Sequence, residues 1–259
     1  MCLILFAWRA HAEHRLVVAA NRDEFFDRPA QPAHFWPDKP SLLAGRDLTA
    51  QGTWLGITRD GRFAAVTNFR NPAERRPIAP SRGQLVSRFL DSDSVPAAWL
   101  AAIAPQANEY NGFSMLAGDA RSLWFYSNRD GAISEVEPGV HGLSNHLLDT
   151  PWPKVEKGKS RLAGLLAAWT ASGFDSEGCL ALLADREPAH EPHLPDTGVG
   201  AEWERKLSSI HIVGDRYGTR CSTVLRIGTD GSAEFRERTY APDGTAADTV
   251  GFEFMLRNR

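Results

Sequence analysis

The sequence predicts an α+β protein in which antiparallel sheets pack on one another beneath a cover of helices. Three observations carry that expectation. Short apolar runs of strand length fill both ends of the chain, tight turn signals join them into hairpins, and two pairs of helical patterns separate the strand blocks. At 259 residues the chain fits one large domain, and a single domain over residues 1–259 is expected.

The elements follow in order. Residues 3–7 and 16–20 are compact apolar runs on either side of RAHAEHR and read as a buried hairpin. The segment PAQPAHFWPDKP, residues 29–40, is proline-rich and cannot continue a ladder, so a surface loop or active-site flap is expected. In GTWLGITRDGRFAAVTNFRNP, Asp60 and Gly61 join two apolar runs, the strongest hairpin signal in the chain. RGQLVSRFLDS and SVPAAWLAAIA read as helices, the second with Ser94 as N-cap and a proline near its first turn.

FSMLAGD, SLWFYSN, AISEVEP and VHGLSN then form an antiparallel meander. Helical spacing returns over residues 155–169, with Leu162, Leu165, Leu166 and Trp169 on one side, and again over residues 177–184. After a polar loop, residues 186–200, the runs SIHIVG, STVLRIG, EFRERTYA and DTVGFEFML read as strands.

Composition narrows the function. With 42% hydrophobic and 24% charged residues the chain is neither disordered nor membrane-spanning in character. The balance of 29 basic against 32 acidic residues leaves no basic footprint, so neither a nucleic-acid partner nor membrane insertion is expected. The apolar opening MCLILFAW lacks a basic flank and is too short for a secretory signal, which points to the cytoplasm. Cys2, Cys179 and Cys221 fit neither a disulfide framework nor a paired metal motif, so any cysteine chemistry must come from one thiolate. His190, Glu191 and His193 fall in a proline-bearing loop without a third fixed ligand, and neither a metal nor a cofactor is expected. Oligomeric state has no signature in the sequence.

If RAHAEH closes the first hairpin, partner numbers add to about 23 and Cys2 faces Asn21, with Arg22 and Asp23 close by. Loss of Met1 would make Cys2 the first residue. Its α-amine, with an ordinary pKa of about 7.7–8.0, would then serve as general base for its own thiol. Arg22 or another arginine would stabilise the thiolate, Asp23 would orient the ammonium, and Asn68 and Asn145 are candidate oxyanion donors at strand ends. Asn21, Arg22, Phe25, Phe26 and Trp36 are the candidate substrate-binding residues.

Met-Cys before an apolar strand, then Asn-Arg-Asp-Glu with Phe-Phe-Asp-Arg-Pro, resembles the NRDE family, also called the transport and Golgi organisation 2 family. GTWLGI, TNFRNP, GLSN and YGTR extend the resemblance along the chain. It implies an N-terminal-nucleophile hydrolase fold, a four-layer αββα sandwich, distantly similar to penicillin V acylase and bile salt hydrolase. On that resemblance Cys2 is the nucleophile, Asp23 holds the amino group, Asn68 and Asn145 sit near the oxyanion, and Arg220 matches the late arginine close to the nucleophile. One departure is visible. The acylase group has an arginine before the asparagine of the second strand, where this chain has Ala20, and Arg22 should face away from Asn21 and Asp23.

Two functions therefore compete. One is a cysteine hydrolase of amide or thioester bonds acting on a small molecule through an acyl-enzyme. The other is a non-catalytic carrier, on the same scaffold, of an apolar ligand such as haem or an acyl-chain lipid, as the resemblance also implies.

Overall fold

The computed structural model describes residues 2–74, 76–169 and 173–257. Its elements run β1 (Cys2–Trp8), β2 (His14–Phe25), β3 (Ala30–Trp36), β4 (Lys39–Asp47), β5 (Leu55–Thr58), β6 (Phe63–Asn68), α1 (Arg82–Leu90) and α2 (Pro96–Ile103). They continue with β7 (Phe113–Gly118), β8 (Leu123–Ser127), β9 (Ile133–Glu135), β10 (Gly139–Leu143), α3 (Pro153–Ala168), α4 (Ser176–Leu183), α5 (Ala201–Lys206), β11 (Tyr217–Gly228), β12 (Ser232–Tyr240) and β13 (Ala246–Met255). The class is α+β: two antiparallel sheets, each carrying helices.

The chain forms two compact units that interleave in sequence. The first takes Met1–Asp27, Pro138–Ser144 and Leu148–Phe254, and the second takes Arg28–Glu137, Asn145–Leu147 and Met255–Arg259.

In the first unit six strands pair in the order β10-β1-β2-β11-β12-β13. Leu3, Leu5 and Ala7 of β1 with Val17 and Ala19 of β2 pack against Val155 and Leu162 of α3 and Leu180 and Leu183 of α4. The alternate residues Ile4, Phe6 and Val18 are equally buried. A strand enclosed on both faces reads as a continuous apolar run, which is why CLILFAW shows no alternation. Gly158 lets α3 approach closely, since a Cβ there would lie 2.6 Å from Leu5.

In the second unit seven strands pair in chain order from β3 to β9. Trp36, Leu42, Val66, Phe113, Met115 and Tyr126 on one face bury Leu85 and Phe89 of α1 and Trp99 and Leu100 of α2. The Asp60-Gly61 turn stands where expected, with Gly61 at φ 82° in the region that favours glycine.

Several local expectations are corrected. Residues 29–40 are not a loop: they contain all of β3 and open β4. Pro32 is tolerated because β3 is an edge strand and its register slips between Gln31 and His34. Val95, not Ser94, is the N-cap of α2, and the Ser94 carbonyl accepts the Arg62 guanidinium at 2.8 Å. β10 leaves the meander and pairs with β1. Residues 209–214 are not a strand; the Thr219 hydroxyl receives the Ile212 N–H and Asp185 the His211 N–H. Helix α5 was not expected from its short span. NRDE lies within β2 rather than past its end. Among the described residues no helix is long and apolar enough to cross a membrane.

Candidate active site

The β1–β2 ladder pairs Cys2 with Arg22, Leu3 with Asn21 and Ile4 with Ala20. The pairing is one residue away from the expected Cys2–Asn21 register. A slip of one exchanges the two faces of a strand, so its consequence is large. Cys2 shares a face with Arg22, while Asn21 and Asp23 project to the other side. The sequence expectation that Arg22 faces away from Asn21 holds, but the face it occupies is that of the cysteine.

Cys2 is 9% exposed. Burial pushes its thiol above the ordinary value and the Asp23 carboxylate adds to the rise. The Arg22 guanidinium and a hydrogen bond from the Asp23 backbone N–H pull it back down. From β10's end, the Ser144 hydroxyl donates to the Cys2 carbonyl at 3.1 Å.

Asp23 is 1% exposed, and its Oδ1 accepts the Thr219 hydroxyl at 2.7 Å. Tyr217 donates its phenol to the Asp23 carbonyl at 3.2 Å. Both partners come from YGTR at the start of β11, where the ladder is irregular: Thr219 opposes Asp23 but Cys221 opposes Arg22, so Arg220 is an extra residue. The Arg220 side chain donates from Nη1 to the Phe25 carbonyl at 2.8 Å and lies 5.1 Å from the Phe26 ring. Arg22, not Arg220, is therefore the guanidinium set across the ladder from Cys2. Burial and the neighbouring Arg22 lower the Arg220 pKa. Cys221, on Arg22's other side, is raised well above the ordinary thiol value by burial and by Glu237.

Asn21 is fully buried. Its amide donates to the carbonyls of Leu183 at 2.9 Å and Ile210 at 2.8 Å, and its oxygen accepts the Ser222 hydroxyl at 2.6 Å. Those bonds tie β2 to the end of α4 and to residues 209–213. Trp36 is 1% exposed within the helix-facing core of the second unit and donates Nε1 to the Ala44 carbonyl. Phe25, by contrast, is 44% exposed and meets Tyr217 edge-on at 5.1 Å.

The two candidate oxyanion asparagines meet within the second unit. Asn145 Nδ2 donates to the Asn68 carbonyl at 3.1 Å, and the Asn145 carbonyl accepts the Arg70 N–H at 2.7 Å. Asn145 is fully buried at φ 57°, a left-handed conformation that asparagine adopts more readily than most residues. Thr219 and Ser144 were missed from the sequence. YGTR is a recognisable motif, but only the strand irregularity explains why its threonine reaches Asp23. Among the described residues no three His, Cys, Asp or Glu side chains gather as metal ligands.

The profile of the Transport and Golgi organisation 2 family matches residues 1–242. A Bos taurus protein, Transport and Golgi organization protein 2 homolog, is 36% identical over 279 aligned positions covering all of both chains. The chain belongs to the Transport and Golgi organisation 2 family. Two solved structures also align with this family member. One, a Caenorhabditis elegans N-acylethanolamine-hydrolyzing acid amidase ortholog, matches at TM-score 0.46 and 9% identity, covering 86% of this chain and 92% of that one. The other, a mutant conjugated bile acid hydrolase from Clostridium perfringens, matches at 0.44 and 12%, covering 100% and 98%.

Proposed function

We propose that the protein is a cysteine N-terminal-nucleophile hydrolase of amide or thioester bonds. The observation that carries this reading is the placement of Cys2 at the first position of β1, opposite Arg22, with its thiol taking the Asp23 backbone N–H. The proposal requires Cys2 to become the first residue of the working chain. Its α-amine then accepts the thiol proton as sulfur attacks the carbonyl carbon, and Arg22 stabilises the thiolate. The tetrahedral intermediate collapses, the leaving amine or thiol takes that proton, and an acyl-thioester on Cys2 remains. Water, deprotonated by the same amine, hydrolyses it and restores the thiol. Asp23, braced by Thr219, is assigned to hold the ammonium, and Asn68 and Asn145 keep the oxyanion role that the family resemblance implies.

Intact mass before and after brief exposure to a thiol-directed electrophile tests the reading, followed by mapping of the labelled peptide. Loss of Met1 with rapid labelling at Cys2, and loss of turnover in Cys2→Ala, are expected. A Cys2→Ala protein that still turns over every accepted substrate would falsify it.

A carrier of an apolar ligand, haem or an acyl-chain lipid, is the second reading. The exposed Phe25 ring beside Phe26 and Tyr217 favours it. Ligand uptake that is unchanged in Cys2→Ala, in a protein without turnover, would replace the first reading by this one.

A further inference from the structure

On the helix-covered side of the first unit's sheet, a cleft of about 420 Å³ opens between the end of α4, helix α5 and residues 209–213. Arg186, Arg205 and Lys206 line it, with Glu202 as the one acidic group of the lining and Val213 as an apolar wall. This excess of positive charge contrasts with a chain whose net charge is -3.

Two of the cations are seated by glycines. A Cβ on Gly214 would lie 2.5 Å from Lys206 Nζ, and one on Gly244 would lie 2.7 Å from Arg186 Nη2. A side chain at either position would displace the cationic head from where it now lies. Arg186 is further fixed by donating to the Gly244 carbonyl at 2.7 Å. Arg205 makes an exposed ion pair with Glu191 at 3.2 Å, an interaction that a stronger anion can displace.

At the floor lies His211, 1% exposed, its ring edge-on to Tyr240 at 4.6 Å. Neither Nδ1 nor Nε2 makes a well-formed hydrogen bond, and the Leu183 backbone carbonyl is the acceptor close enough to the ring to raise its pKa. The Leu183 carbonyl next to it already accepts the Asn21 amide. That carbonyl can answer one ring nitrogen at most, and a buried ring nitrogen left unanswered is costly unless a ligand meets it. Burial and Arg186 hold the ring down at about 4, so it is neutral at working pH and offers one N–H donor and one acceptor.

We propose that this cleft binds a phosphate-monoester group, with Arg186, Arg205 and Lys206 meeting the anion, His211 bonding it from below, and the ligand's apolar body resting on Val213. A dianion suits a cleft lined by three cations better than a carboxylate does, and a planar guanidinium can grip two phosphate oxygens at once. The site lies on the sheet side away from the Cys2 thiol and is independent of the hydrolase reading.

The test titrates inorganic phosphate and glycerol phosphate into the full-length protein at constant ionic strength, following the His211 ring C–H resonances. Glycerol and chloride serve as controls. A saturable shift with both phosphates is expected, weakened by about tenfold or more in Arg205→Gln/Lys206→Gln. Lys206→Gln alone should weaken binding by an intermediate factor. Unchanged melting of both variants shows that the fold is intact. Vesicles with and without phosphatidic acid separate the sources: capture by these vesicles without a response to glycerol phosphate assigns a lipid-borne monoester, and the reverse assigns a water-borne one. No saturable response to any of the three phosphate probes, or equal binding by the double variant, overturns the proposal.

Discussion

Arg22 stands between two cysteines, opposite Cys2 on one side and opposite Cys221 on the other, all three on one face of the sheet. Its guanidinium lowers both thiol pKa values against the larger upward push of burial. Arg22→Ala should therefore slow electrophile labelling of Cys2 at neutral pH, because the thiol loses one of the charges that lower its pKa. Arg22→Lys should recover part of the rate. Labelling rates measured across pH check this, and an unchanged profile in Arg22→Ala would remove the arginine from the site.

Asn21 is set to act through the fold. Its side chain closes three buried hydrogen bonds to Leu183, Ile210 and Ser222. Asn21→Ala strands those partners and should cost about 2–4 kcal/mol of stability in chemical denaturation. Below the unfolding transition, labelling of Cys2 should keep its wild-type rate.

Asn145 offers a cleaner separation of backbone from side chain. At φ 57° glycine fits without strain, whereas alanine does not. Asn145→Gly and Asn145→Ala should both lose about 10²–10³ in kcat if the amide is an oxyanion donor. Alanine should lose about 1 kcal/mol more stability than glycine. Equal kcat for wild type and Asn145→Gly would end that assignment.

Acid should weaken the fold before carboxylates titrate. His211 falls from an ordinary 6.5 to about 4 through burial and Arg186, and His14 and His146 shift the same way, chiefly through burial. Across that window the unfolded chain binds protons that the folded chain refuses. Stability is thus full above 6.5 and is lost as pH falls toward 4, by about 3 kcal/mol for His211 alone. Denaturation midpoints at pH 7, 5.5 and 4.5 read the effect. His211→Gln should flatten it, and a wild-type curve with no such slope contradicts it.

Local chemistry announced much of this fold. Asp60-Gly61 marked its hairpin, the leucine spacing marked α3, and the continuous CLILFAW run marked a doubly buried strand. What escaped depended on distant partners. VHGLSN has the same pattern whether it extends a meander or joins β1, and PAQPAHFWPDKP becomes a strand only because an edge position forgives its prolines. SIHIVG has strand composition, yet its backbone groups meet a side chain and a helix end. The site divided in the same way. Residue types near Cys2 were legible from hairpin arithmetic, but a register one residue out decided whether Asn21 or Arg22 stands opposite the thiol.

The extra residue at Arg220 reverses the phase of β11. Thr219 meets Asp23 on one face while Cys221, two positions later, lies beside Arg22 on the other. An unbroken strand would put residues two apart on the same face. In-frame loss of the Arg220 codon would then do what no substitution there can. It would turn one half of the strand inside out, setting either the apolar residues from Cys221 to Ile227 or the Asp23 brace on the wrong side. Natural variation should accordingly preserve the length of the chain through this point.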